Sequence, residues 1–295
     1  MLLLRIPNAF TAPSNVIAGY FALTSVQDTS ISLTGLIVSS VLLYISGIVF
    51  NDYFDIEIDR KERPNRPLPA GLISKNKSLL IAILLLTIGN IITLLINPIS
   101  FVVSILISVV MIAYDYRLKF MKTSPVIMGT ARALNVLLGS SISFININHS
   151  ESSILKLIII SFSIFLYTLS ITMLSKNEVN VEKQRSKIII PFIVNFGIIG
   201  FLFLSIVWQI FDNSMLIFLC LFMSIIIWIF KKTVINKHSI DTSPIAIQNA
   251  IKNMVISIII LDSSFISGSI GTIYGFLTLL LILPSMVLAK KLYVT

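Results

Sequence analysis

Apolar runs recur from one end of the chain to the other, each about 17–25 residues long and so able to cross roughly 30 Å of hydrocarbon as an α-helix. Inside lipid such a run must satisfy its own backbone, and a helix does so within the segment. The 295 residues are 56% hydrophobic and only 12% charged, with a mean hydropathy of +0.97. A soluble chain of this length needs far more polar surface. The sequence therefore predicts an all-α polytopic membrane protein, one domain over residues 1–295 with nothing left for a separate soluble unit.

Ten spans are expected, near 8–27, 31–51, 78–96, 99–115, 125–145, 153–175, 187–210, 213–230, 244–261 and 264–289. The last two are separated only by "DSSFISG", so nine spans with a re-entrant piece is the alternative. "MLLLRIPNAF" lacks a basic leader before its apolar residues and reads as the approach to the first helix. Positive charge falls in the loops after the second, fourth, sixth and eighth spans, while the opposite loops hold Asp28, His149, Glu151 and Asp212, with Lys156 the exception. By the positive-inside rule both termini and the charged loops are cytoplasmic. A bacterial cytoplasmic membrane is the expected location. The net charge of +9 is thus topological, and nucleic acid is not an expected partner. Cys220 lies in an apolar run and His149 and His238 in separate loops, so neither a redox group nor a histidine metal site is expected. Asp262 is expected at the outer membrane face in a structural role.

One stretch departs from this apolar background: "NDYFDIEIDRKERPNRPLPAG", Asn51 to Gly71, directly behind the second run. If the helix continues past Phe50, Asn51, Asp55 and Asp59 fall at i, i+4 and i+8 along one face, with Asp52 beside them. Like charges at that spacing repel and call for compensation. A set of oxygen-only ligands suits Mg²⁺, which takes one or two carboxylates and completes its octahedron with water and phosphate oxygens. Arg63 and Arg66 are suited to the same phosphates through charge-assisted hydrogen bonds. The prolines of "RPLPAG" fix the loop that carries them.

"NDYFDIEID" followed by "RPLPAG" resembles the first aspartate-rich signature, NDxxDxxxD, of the UbiA superfamily of intramembrane prenyltransferases. "YDYRLKFMKTSPVIMGTARALNVLLG" resembles that family's second cytoplasmic loop and following helix, with Tyr114, Lys119 and Arg132 on matching positions. The resemblance implies a bundle of nine to ten transmembrane helices around a central cavity, open to the cytoplasmic side and laterally to lipid. It implies Mg²⁺ ions held against an isoprenoid diphosphate, whose allylic carbocation is captured by an acceptor that the sequence does not identify. An apolar cavity would protect that cation from water, and the metal with nearby Arg and Lys would stabilise the leaving group.

The family's second acidic motif, DxxxD, has no aspartate counterpart in "LSKNEVNVEKQRSK". Glu178 and Glu182 stand at i and i+4 there, with Asn177 beside them. This Glu-centred motif, "MGTARALNVLLG", "ILDSS" and "LAKKLYVT" are most similar to the EboC-like branch. The resemblance implies a metal set of Asn51, Asp52, Asp55, Asp59, Glu178 and Glu182. Substrate contacts are expected from Asn51, Arg63, Arg66, Tyr114, Lys119, Arg132 and Asn177, and catalytic roles from Asp55, Asp59 and Lys119. Arg132 lies within a span, where an arginine faces a cavity or a partner. Two rival functions share these features. A terpene cyclase of the same superfamily needs no acceptor, and a transporter would use the acids to couple an ion, although transporter acids sit nearer mid-membrane on broken helices.

Overall fold

The computed structural model describes residues 9–26, 31–145, 149–176, 185–235 and 244–292. Among these the regular elements are all helical. In chain order they are α1 (Thr11–Leu23), α2 (Ile31–Phe54), α3 (Ile56–Glu62), α4 (Lys75–Ile96), α5 (Pro98–Tyr116) and α6 (Ser124–Ser140). They continue with α7 (Glu151–Lys176), α8 (Arg185–Val207), α9 (Met215–Phe230), α10 (Pro244–Ile270), α11 (Thr272–Leu279) and α12 (Ile282–Leu292). Seven of them, α2, α4, α5 and α7 to α10, are long and apolar enough to cross a membrane. The protein is an integral membrane protein.

Helix α4 shows how such a bundle packs. It turns Leu80, Leu84 and Leu95 outward and buries Ser78, Ala82, Gly89, Asn90 and Thr93. Lipid tails are as apolar as leucine, so burying leucine drives little here, while small and hydroxylated residues allow close contact and hydrogen bonds. Against α2, Ser39 Oγ donates to Gly89 O at 2.9 Å and Ser46 Oγ to Ala82 O at 2.8 Å. Against α5, Asn90 Nδ2 donates to Ser108 Oγ at 3.0 Å, Ser104 Oγ to Asn90 Oδ1 at 2.7 Å, and Thr93 Oγ1 pairs with Ser104 Oγ at 2.7 Å. The turn between α4 and α5 is capped by Asn97, whose Oδ1 accepts from Ser100 N at 2.7 Å.

Helices α1 and α6 touch backbone to backbone. A Cβ at Gly19 would fall 1.9 Å from Val136 O, and one at Gly139 would fall 2.0 Å from Val16 O. The largest apolar core joins α1 and α6 to α7, α8, α9 and α10 around Tyr167, Phe192, Phe222, Met254 and Phe265.

The chain end differs from the expected pair of spans. "DSSFISG" does not separate them, because α10 runs unbroken to Ile270. Its hydroxyls turn back onto the helix, Ser263 Oγ donating to Ile259 O at 2.7 Å and Ser264 Oγ to Leu261 O at 2.6 Å, so a polar stretch that reads as a loop is satisfied in place. The break comes at Gly271, where φ is 107°, and α11 and α12 follow as two short helices. Asp262 is accordingly not at an outer face but fully buried within the bundle.

Candidate active site

Helix α2 carries Asn51 and Asp52 out to Phe54, the backbone turns at Asp55, and α3 carries Asp59. Helical hydrogen bonds bridge the turn: Asp55 N donates to Asn51 O at 2.9 Å, Asp59 N to Asp55 O at 2.8 Å and Arg63 N to Asp59 O at 2.8 Å. The expected stripe therefore keeps to one face across the joint. Asp52 and Asp59 are each 3% exposed, a depth at which an ionised carboxylate needs a counter-charge.

Arg66 supplies it, and Lys119 does the same for Asp55. Arg66 Nη1 donates to Asp59 Oδ2 at 2.5 Å and lies 3.6 Å from Asp52 Oδ1. Lys119 Nζ donates to Asp55 Oδ1 at 2.5 Å and to Asn51 Oδ1 at 3.3 Å. The loop that carries Arg66 is held by Ala70 N donating to Arg66 O at 2.9 Å and by Leu68, buried against Val49, Phe50, Ile56 and Ala82. Lys119 is aimed by the 3₁₀ turn Leu118–Phe120 that follows α5, with its ammonium 5.4 Å from the Phe120 ring centroid. Arg63 is exposed and pairs with none of the described carboxylates.

Behind this charged mouth lies a cavity of about 400 Å³ between α1, α2, α5, α6, α7 and α10. Its wall is mainly apolar, through Met111, Ile127, Met128, Ile171, Ile251 and Val255. Asn51 and Tyr114 line its mouth, and Ser40, Asn135 and Arg132 line it further in. Asn135 Oδ1 accepts from Ser40 Oγ at 2.6 Å and its Nδ2 donates to Ala12 O at 2.9 Å.

The structure thus brings Asn51, Asp52, Asp55, Asp59, Arg66 and Lys119 into one cluster, sets Tyr114 beside it, and leaves Arg63 in solvent and Arg132 deeper in the wall. Asn177, Glu178 and Glu182 lie outside the described residues. One further carboxylate was not anticipated. Asp115, 5% exposed, lines the cavity beside Tyr114, and an acid next to a candidate tyrosine at the end of an apolar span was the available signal.

The donor chemistry of Asn51, Asp52, Asp55 and Asp59 is oxygen only and fits Mg²⁺. Among the described residues no three acidic, His or Cys side chains converge as a ready cage. Mg²⁺ does not require one, since it relies on one or two carboxylates and keeps water or phosphate oxygens for the rest.

Residues 13–234 match the UbiA prenyltransferase family. The chain belongs to that family. Among sequence relatives, it is 32% identical to digeranylgeranylglyceryl phosphate synthase of Saccharolobus solfataricus over 174 residues, 57% of this chain and 58% of that protein. It is 29% identical to the synthase of the same name from Sulfurisphaera tokodaii over 171 residues, 57% of this chain and 59% of that protein. These matches therefore span less than two thirds of the length of the curated relatives. Among solved structures, a UbiA homolog from Aeropyrum pernix K1 superposes with a TM-score of 0.69 at 12% identity, covering 88% of this chain and 96% of that one. A UbiA homolog from Archaeoglobus fulgidus bound to DMAPP and Mg²⁺ gives a TM-score of 0.63 at 16% identity, covering 94% and 98%. At such identities the likeness is one of fold, and it extends over most of the UbiA bundle.

Proposed function

We propose that this UbiA-family protein transfers a prenyl group from an isoprenoid diphosphate to a small acceptor inside a prokaryotic cell membrane, as one membrane-embedded domain. The observation that carries the reading is the cross-linked cluster of Asp52, Asp55 and Asp59 with Arg66 and Lys119, set at the mouth of an apolar cavity. A transporter would place its acids nearer mid-membrane, whereas these sit at a helix end beside cations suited to phosphate.

Asn51, Asp52, Asp55 and Asp59 would hold Mg²⁺, with Glu178 and Glu182 as the expected second set. Bound there, Mg²⁺ supplies positive charge to the oxygens of the leaving diphosphate. Lys119 and Arg66 turn from the carboxylates to the same oxygens, and Tyr114 borders the reacting carbon. The bond between C1 and the bridging oxygen breaks, and its electron pair leaves with diphosphate. The acceptor's nucleophile closes on C1, and its proton passes to the departing diphosphate. The apolar wall keeps water from the allylic cation while it exists.

The test is diphosphate release by the full chain in lipid nanodiscs, with dimethylallyl and geranyl diphosphate, with and without Mg²⁺, and beside Asp55→Asn. Release that needs Mg²⁺, is lost in the variant and rises with cell extract as a source of acceptor is the expected result. A hydrocarbon or terpene alcohol formed without extract would replace transfer by cyclisation. Absence of both release and Mg²⁺-dependent donor binding would remove the proposal.

A further inference from the structure

Lys156 breaks the charge pattern of the chain. It is the cation on the side opposite the charged mouth, where the positive-inside rule leaves few. Its depth follows from α7. Thr172 and Ser175 line the cavity, and Lys176 Nζ, in the last turn of the helix, donates to Met121 O beside the turn that aims Lys119. Lys156 stands 19 residues before Ser175, which at about 1.5 Å of rise per residue is roughly 28 Å along the helix. That is close to the roughly 30 Å thickness of the hydrocarbon. Lys156 therefore lies at the opposite membrane face.

Its ammonium lies 5.8 Å from the centroid of the Phe211 ring and pairs with no carboxylate among the described residues. The acids closest to it in the chain, Glu151 on the same helix and Asp212 beside Phe211, are both exposed. At its foot a groove of about 230 Å³ opens between α7 and α8. Leu155, Ile158 and Phe162 wall it from α7, Phe201 from α8, and Trp208 and Ile210 from the turn that ends α8. The hydroxyl of Ser205, also in the wall, donates back to its own helix at Leu202 O, 2.6 Å away. The turn is fixed by Gln209 at φ 57°, with Gln209 N donating to Ile206 O at 2.9 Å and Ile210 N to Ser205 O at 3.0 Å. Leu155 to Phe162 and Trp208 back to Phe201 are both steps of seven residues, so the groove leads about 10 Å inward from the interface. Ile158, Phe162 and Trp208 are each more than half exposed, so it opens toward lipid. Walls without partner atoms forfeit their dispersion contacts, and hydrocarbon is the filler at that depth. Trp208 stands where an interfacial aromatic is expected.

We propose that Lys156 and this groove form a site for an anionic membrane lipid in the leaflet opposite the mouth. The lipid's phosphate sits against Lys156 Nζ, and one of its hydrocarbon chains fills the groove between α7 and α8. Charge complementarity selects the lipid. A zwitterionic lipid brings its own cation to its phosphate, whereas an anionic one leaves the phosphate to the unpaired lysine. The site stands on the far side of the membrane from the mouth and is independent of the diphosphate reading.

The chain has two tryptophans, so the test uses the full chain with Trp228→Phe, in which Trp208 alone reports, reconstituted in phosphatidylcholine vesicles. Bromine on an acyl chain quenches a tryptophan that it touches. Rising fractions of the plain lipid are replaced by chain-brominated phosphatidylglycerol or, in parallel, by chain-brominated phosphatidylcholine. Half-quenching of Trp208 should need about fivefold less of the anionic lipid, the scale of one lysine at a charged membrane surface. Lys156→Gln should abolish that difference and leave quenching by brominated phosphatidylcholine as it was, while Lys156→Arg should keep the difference. Equal half-quenching fractions for the two lipids overturn the proposal, and this arm needs no substitution at Lys156. So does a difference that persists in Lys156→Gln. So too does loss of the difference on adding millimolar glycerol phosphate at constant ionic strength, because the headgroup would then bind without a chain in the groove.

Discussion

Arg66 serves two buried carboxylates at once, 2.5 Å from Asp59 and 3.6 Å from Asp52, and Arg66→Gln removes the charge while keeping a side chain of similar length. Taking one partner from a buried ion pair costs about 3–5 kcal/mol, because the other charge is stranded. The Asp52 and Asp59 side chains are 4% and 5% exposed, whereas that of Arg66 is 20% exposed, so water reaches part of the vacated place and the lower figure applies. At about 2.1 cal/mol/K of unfolding entropy per residue, about 3 kcal/mol in a chain of 295 residues corresponds to a fall in melting temperature of roughly 5 °C. Trp208 and Trp228 make this measurable by intrinsic fluorescence during heating in detergent. Millimolar Mg²⁺ should restore at least half of the loss, since the ion supplies the missing charge to the same oxygens, and it should raise the wild type less because there it competes with Arg66. A fall of the same size with and without Mg²⁺ would refute the reasoning, as would no fall at all.

Lys119→Gln should cut Mg²⁺-dependent diphosphate release by about a hundredfold, the scale of losing one charged donor from a leaving-group site, with Lys119→Arg retaining part; release assays on both variants check this. Gly139→Ala should destabilise the bundle by about 1–3 kcal/mol or more through overpacking, because its Cβ would start 2.0 Å from Val16 O. Gly197→Ala, with nothing within 4 Å of the added carbon, should leave the melting temperature unchanged or slightly raised. Asp262→Leu should cost more stability than Asp262→Asn in the same melts, since asparagine keeps an oxygen that accepts from Asn15 Nδ2 whereas leucine leaves that buried donor unpaired.

The sequence showed most plainly what lies within single helices. The helical class follows from the length of the apolar runs, and the Asn51, Asp55, Asp59 stripe follows from a four-residue repeat that survives the turn at Asp55. Tyr114 and Lys119 stood out through resemblance, and the contact of Lys119 with Asp55, 64 positions away, is a product of packing. The same holds for Arg132, whose partners Thr11 and Asn15 are on α1 and follow no local spacing. Asp262 and the serines around it were misread as a boundary because hydropathy scores a hydroxyl as polar, whether or not it returns its hydrogen bond to the preceding turn. The outward leucines and buried Asn90 of α4 invert the pattern of a soluble helix, so a core list drawn from soluble rules would have failed there.

The helical hairpin of α4 and α5 has a consequence for how the protein reaches its membrane. Asn90, Thr93, Ser104 and Ser108 satisfy one another across it, and Asn97 satisfies the turn. Residues 75–116 can thus leave the ribosome and enter the bilayer as a pair, with these polar groups already bonded and leucine toward lipid. Helix α2, made earlier, needs only to offer Ser39 and Ser46 to carbonyls that the finished hairpin still exposes. Assembly of the aspartate-bearing helix would then wait on the hairpin, so the acids proposed to hold metal would come into register only after their scaffold is in the membrane.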